Sequence, residues 1–203
     1  MSKRTRALPL APEDRRRAIV EAVTPLLLSR GAAVTTREIA EAAGIAEGTI
    51  FRVFPDKAAL VFEAVRVGFD PEPTQRALAD IYPEAPLDIQ LAEAARILLE
   101  RSELVFGLLS VLRTLPHPAP KGPVDIPPFV ALANTALNQS LAKILERNRE
   151  RLRFEPLRAA SAFRGLLLAS VHPSVALPER LTIDEIVGVF LDGILQPEAA
   201  VVG

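Results

Sequence analysis

The chain has 203 residues, 49% of them hydrophobic, enough for one helical domain with a real core or for two small ones. It contains no cysteine, which excludes a disulfide framework and a thiolate metal site, and no apolar run approaches the length that crosses a membrane. The net charge of −1 divides unevenly: residues 1–69 hold eleven Lys or Arg against eight Asp or Glu, a balance of +3, which leaves −4 for the remainder.

The basic start, Lys3, Arg4 and Arg6, is followed only by the short stretch ALPLAP, too brief an apolar region for a signal peptide, so a cytoplasmic setting is expected. Pro12, Glu13 and Asp14 open a first helix with an apolar stripe of Ile19, Val23, Leu26 and Leu27, ended by Arg30-Gly31. Pro25 interrupts this helix and is expected to kink it. Thr35 with Glu38 forms a capping box, so a second helix begins near Thr36 and places Ile39, Ala40 and Ala43 on one face. Gly44 supplies the backbone for a sharp turn, and Ile45 points back inward. In the following short helix Ile50 and Phe54, four apart, share a buried face and leave Glu47, Thr49, Arg52 and Val53 pointing elsewhere. Helices this short are marginal alone, so the two must pack on each other and on further helices. This is the arrangement of a DNA-binding helix-turn-helix, in which one helix crosses the backbone and the next offers its outer face to the major groove. Asp56 then caps a fourth helix that runs to about Gly68 with Leu60, Val61, Ala64 and Val65 inward.

The pattern T-x-x-E-I-A-x-x-A-G-I-x-x-G-T-I-F-x-x-F-x-x-K-x-x-L, from Thr35 to Leu60, resembles the DNA-binding motif of the tetracycline-repressor-like (TetR) family of bacterial transcription regulators. With the flanking helices the likeness covers about the first third of the chain. It implies contacts to double-stranded operator DNA from Thr36, Glu47, Gly48, Thr49, Phe51, Arg52 and Lys57. Lys57 at a helix start suits a phosphate, and Thr36 suits a phosphate or a cap. Arg52 suits guanine or phosphate, and Thr49 a phosphate or a thymine methyl, while Gly48 lets the backbone approach. Glu47 fits either a cytosine amine or the positive end of its own helix, and Phe51 either a thymine methyl or the core. Arg15, Arg16 and Arg17, with the N-terminal cations, suit nonspecific phosphate attraction. The chain departs from the family pattern at Ala46, Phe51 and Val53, where polar side chains are usual, which bears on the strength of DNA binding and not on the fold.

Beyond Pro71 to Pro73, which separates the basic head, a short helix is expected around Thr74 to Tyr82 and a long one from about Leu87 to Arg113. The long helix is wet on one face at Glu93, Arg96, Glu100 and Glu103, but apolar nearly all round from Leu104 to Leu112, so its second half should be buried. The proline-rich stretch His117 to Pro128 reads as a surface loop, followed by helix from about Pro128 to Arg153. In that helix Asn134 and Asn138 align with Leu141 and Leu145, which puts two amides on an apolar stripe, and buried amides need protein or ligand partners. Together with Ser102, Phe106, Leu109, Ser110, Phe129 and Phe163 they compose a candidate pocket for a small, largely apolar effector.

The chain ends with a helix from Glu155 to Val171, stopped by His172-Pro173, and one begun by a second capping box, Thr182 with Glu185. Their apolar surface is wider than one neighbour needs. It either completes an internal bundle or meets a second copy as four helices, with Ala159, Ala162, Leu166, Val187, Phe190 and Ile194 at the seam. The family resemblance favours the homodimer. The expected fold is therefore all-α: a three-helix helix-turn-helix DNA-binding domain over residues 1–69, with its motif at about 35–60, and a helical effector-binding and dimerisation domain over 70–203. The expected function is a ligand-responsive dimeric repressor of a near-palindromic operator, without cofactor or metal. The alternative is a dimeric ligand-binding or interaction protein with weakened DNA binding. An enzyme is disfavoured, because His117 and His172 each stand alone beside a proline and no phosphate-cradling glycine loop occurs.

Overall fold

The computed structural model describes residues 12–115, 127–172 and 180–195. Among them are nine α-helices: α1 (Pro12–Arg30), α2 (Thr36–Ala42), α3 (Glu47–Val53), α4 (Lys57–Gly68), α5 (Glu72–Ala79), α6 (Leu87–Thr114), α7 (Pro128–Glu146), α8 (Pro156–Val171) and α9 (Ile183–Ile194). Short 3-10 turns occupy Gly31–Ala33 and Arg149–Arg151. The all-α architecture expected from the helical periodicity is the one observed. The N-terminal cations Lys3, Arg4 and Arg6, residue His117 and most of the proline-rich loop lie outside the described residues.

Packing divides the chain into two compact units: residues 1–68 with 105–123, and residues 69–104 with 124–203. The residues of α6 up to Leu104 thus belong to the second unit, and those from Val105 onward to the first.

In the first unit the core is built from one face of each short helix. Ile19, Val20, Val23 and Leu27 of α1 are buried with Ile39 and Ala40 of α2, Ile50 of α3, Phe54, and Leu60, Val61, Ala64 and Val65 of α4. Gly44 takes a left-handed backbone, φ +64°, which lets the chain reverse between α2 and α3 without a Cβ clash. Pro25 lies inside α1, and the helix continues through it to Arg30. From Leu104 to Leu112 the expected all-round burial does not hold. Val105, Leu108 and Val111 are buried, Leu104, Phe106, Leu109 and Leu112 are half-covered, and Ser110 is exposed, so a single face is engaged.

The second unit has a continuous core in which Leu91, Ala94, Ala95 and Leu98 of α6 meet Leu137, Leu141 and Leu145 of α7, with Ala159, Ala160, Phe163 and Leu167 of α8. Helix α9 joins through Ile186, Val187, Phe190 and Ile194, and the rings of Phe163 and Phe190 lie 4.7 Å apart. Two boundaries differ from the sequence-based expectation. Helix α5 starts at Glu72, where the Asp70 carboxylate accepts from the Glu72 amide at 3.1 Å, and it ends at Ala79. Helix α7 stops at Glu146, because a 3-10 turn intervenes before Leu152, which is buried and forms an isolated antiparallel bridge with Leu195.

Candidate DNA interface

Helices α2 and α3 are placed by local chemistry. The Thr35 amide and hydroxyl donate to Glu38 Oε2 at 2.8 and 2.9 Å, and the Glu38 amide returns a bond to the Thr35 hydroxyl at 3.3 Å, completing the capping box. These bonds, with Arg30 as an ion partner, hold the Glu38 carboxyl below its ordinary value of 4.5. Helix α3 begins at Ala46, which has the extended backbone of a cap but gives no side-chain hydrogen bond. The departure from Ser or Thr at this position thus leaves the start of α3 without the usual acceptor.

With Ile50 and Phe54 turned inward, the opposite side of α3 faces water: Glu47, Gly48, Phe51 and Arg52 are exposed, and Thr49 and Val53 are half-covered. Phe51, 51% exposed, is on the outer side and not in the core. Thr36 and Glu47 are each other's partners, the hydroxyl donating to the carboxylate, which ties the first residue of α2 to the first of α3. Arg52 has no hydrogen-bond or ion partner among the described residues and stands with its guanidinium in solvent.

Two cations of this unit have partners within the chain. The Lys57 ammonium donates to the Ala32 carbonyl at 2.6 Å and to the Val34 carbonyl, so it closes the end of the 3-10 turn that leads into α2. Its burial pushes its pKa down, an effect opposed in part by the Glu38 carboxylate. Arg16 donates from Nη1 to the Val53 carbonyl at 2.7 Å, and its guanidinium lies 4.6 Å from the Phe54 ring centre. It is therefore a clamp on the last turn of α3. One arginine in an exposed triplet gives no sequence signal for such a contact across 37 positions.

In the second unit the expected pocket residues do not form one group. Asn134 is exposed and Asn138 half-covered, so neither lies on the apolar stripe that carries the fully buried Leu141 and Leu145. A seven-residue step falls about 20° short of two helical turns, and alignment at that spacing does not by itself fix burial. Both amides are held by Arg164: Nη1 donates to the Asn134 carbonyl at 3.0 Å and to Asn138 Oδ1 at 2.7 Å, and Nη2 to Asn134 Oδ1 at 2.9 Å. Asn138 Nδ2 in turn donates to the Ser161 hydroxyl at 3.0 Å. Arg164 was missed in the sequence, although it is the only charge between Arg158 and His172. Ser102 donates to the Leu98 carbonyl of its own helix at 2.8 Å, Phe163 is in the core, and Phe129 meets Phe69 edge-on at 5.6 Å. Phe106, Leu109 and Ser110 belong to the first unit. A groove of about 490 Å³ opens instead between α5, α7 and the connection before α6, bordered by Gln75, Leu78, Ile81, Ser140, Lys143 and Arg147. None of the expected pocket residues lines it.

The expected seam between copies needs a similar correction. Ala159, Val187, Phe190 and Ile194 are buried in the chain's own core, whereas Ala162 is exposed and Leu166 half-covered. The outer face of α8 is completed by Leu157, 50% exposed, with Ser161 and Gly165, and that of α9 by Gly188, Gly193 and Val189, 59% exposed.

A family model described as bacterial regulatory proteins, tetR family, matches residues 19–64, the segment that builds the latter part of α1, α2, the turn, α3 and most of α4. Among solved structures, a protein described as a TetR-family transcriptional regulator from Mesorhizobium loti is similar at 21% identity over 93% of this chain and 100% of that one, with a TM-score of 0.61. NemR from E. coli, in its reduced form, is similar at 17% identity over 92% and 100%, also with a TM-score of 0.61. The TetR-like regulator LfrR from Mycobacterium smegmatis, solved in complex with proflavine, is similar at 21% identity over 92% and 100%, with a TM-score of 0.54. These likenesses extend over nearly the whole chain and concern its fold.

Proposed function

We propose, from the premise that the chain is a member of the tetR family of bacterial regulatory proteins, that it is a ligand-responsive dimeric repressor of a near-palindromic operator. The observation that carries the DNA-binding part is the exposed outer face of α3. Its inner face is fixed by Ile50 and Phe54, its last turn is clamped by Arg16, and Gly48, Thr49, Phe51 and Arg52 are left to meet a major groove. Arg52 is the base reader in this proposal, Lys57 and Thr36 meet phosphate, and Glu47 orients Thr36.

Two such heads are linked through the outer faces of α8 and α9, where Ala162, Gly165, Gly188 and Gly193 permit close approach and Leu157, Leu166 and Val189 supply apolar surface. Half-sites one or more helical turns of DNA apart, about 34–36 Å or a multiple of it, then follow. The effector enters the second unit and acts only through its preference for one spacing of the heads, a coupling of roughly 1–3 kcal/mol that lowers operator affinity about 5- to 150-fold. No helix among the described residues is long and apolar enough to cross a membrane, which fits a regulator working in the cytoplasm.

A selection of bound duplexes from random sequence tests the proposal. Enrichment of a twofold-related motif supports it, and recovery of unbiased sequences held only at low salt removes it. The uncapped start of α3 at Ala46 favours a second reading, a ligand-binding dimer with weakened DNA affinity, and the same selection separates the two.

A further inference from the structure

Two cationic side chains in the second unit lack the partners their burial calls for. Arg101 donates from Nη1 to the Asp70 carbonyl at 2.6 Å and to the Thr74 hydroxyl at 3.3 Å, but its Nη2 is buried without any hydrogen-bond partner. Among the described residues Arg164 is bonded only to neutral acceptors, the backbone carbonyl of Asn134 and the side-chain oxygens of Asn134 and Asn138. Neither guanidinium has a carboxylate ion pair among the described residues. Burial pushes both pKa values down, and Arg101 is lowered further by the charge of Arg164, with Asp70 opposing. Arginine stays charged regardless, so each guanidinium remains a partly desolvated cation in the free protein.

Such an arrangement is costly for a fold that needs only struts. A buried donor left unmade loses its hydration without return, and a neighbouring like charge adds to the loss. A methionine or glutamine at either position would fill similar space at less cost. The missing element is a negative charge with several acceptor oxygens, the chemistry to which a guanidinium fork is matched. Unsatisfied buried cations of this kind are characteristic of sites that await a ligand.

We propose that the second unit binds a small organic oxyanion, a carboxylate or a phosphate ester, at Arg101, with Nη2 as its uncommitted donor and the charge of Arg164 adding to the attraction. This rests on the effector reading above and refines it: the effector is amphiphilic, an apolar body with an anionic head. Asn134 and Asn138 are then positioning residues that aim Arg164, and they do not themselves hold the ligand.

Probes matched in length test the charge alone: octanoate and octyl phosphate against octanol and octylamine, titrated into the full chain by calorimetry and thermal melting. The anions should bind and raise the melting temperature, with octanol at least about tenfold weaker, as expected for loss of a charge-assisted bond. Arg101→Met should lower octanoate affinity about 10- to 100-fold while leaving the melting temperature of the unliganded protein unchanged or higher. A merely structural arginine would give the reverse, a lower melting temperature with octanoate affinity retained. Should Arg101→Met fail to fold, Arg101→Lys keeps the charge but not the fork and should bind octanoate more weakly than wild type. Equal affinity of that variant for octanoate and octanol overturns the proposal, as does equal binding of the two by wild type. If octanoate binds through Arg101 but operator affinity is unchanged, the anion site stands and the effector reading falls. If octanol releases operator and octanoate does not, the effector reading stands and the anion site falls.

Discussion

The Arg16 guanidinium donates to the Val53 carbonyl at 2.7 Å, joining α1 to the last turn of α3. A carbonyl at the end of a helix has no intrahelical donor, and a cation there also meets the negative end of the helix dipole. The contact over the Phe54 ring, at 4.6 Å, fixes the same guanidinium from its face. Arg16→Met should therefore cost roughly 1.5–3 kcal/mol in urea unfolding. Operator affinity should fall without a change in the salt dependence of binding, because a residue engaged inside the protein releases no counterion from DNA. A salt slope reduced by about one unit would return Arg16 to the role of a phosphate ligand.

In the proposed complex Lys57 combines both kinds of duty. Two of its three donors close the Ala32 and Val34 carbonyls, and the third has no partner among the described residues. Lys57→Ala should lower stability by about 1–3 kcal/mol and also reduce the salt slope of operator binding by about one unit. Lys57→Arg should restore the charge without the compact geometry that reaches two carbonyls, recovering more of the slope than of the stability. An unchanged slope in the alanine variant would make Lys57 a strut alone.

What the sequence made legible was what neighbouring residues decide. Thr35 with Glu38 and Thr182 with Glu185 announce helix starts because the reciprocal bonds close within four residues, and Gly44 marks a turn because its φ is open to few other residues. The end of α7 was not legible. Arg147 and Asn148 carry no strong stop signal, and the turn is held by Leu152 against Leu195, far along the chain. The stripe Ile186, Val187, Phe190 and Ile194 was legible as apolar, but periodicity does not say whether the chain or a partner covers it. The contacts of Arg16 and Arg164 are not legible for the same reason: their partners lie 37 and 26 to 30 positions away.

The two capping boxes set a pH dependence. Hydrogen bonds from Thr35 and Thr182 hold the carboxyls of Glu38 and Glu185 below 4.5, so each favours the folded state when ionised. The sign follows from linkage. A depressed folded pKa gives stability that is fully present above the unfolded value and is lost as pH falls through the folded one. Glu38→Gln preserves a capping acceptor while removing the titration. Its urea midpoint should fall less than that of wild type between about pH 5 and pH 3. Parallel curves for the two proteins would show that Glu38 contributes nothing to acid unfolding.

Helices α8 and α9 present two apolar faces, and one charge placed on each separates them. Val187 is 4% exposed and packs in the core, so Val187→Asp buries a carboxylate without a partner and should unfold the second unit whatever the assembly. Ala162 is exposed, and an aspartate there costs an isolated chain little, since it replaces a methyl group in water. In a twofold dimer that uses this face the same carboxylate is desolvated and meets its own copy, with like charges opposed across the axis. Ala162→Asp should therefore give folded monomers by sedimentation, with helical content and melting intact, and operator affinity reduced to that of a single head. Val189→Asp, on the adjoining helix and 59% exposed in the lone chain, should act in the same direction. A protein that stays dimeric with both charges in place would put the seam elsewhere on the second unit, and tight operator binding by the resulting monomers would remove the need for paired heads.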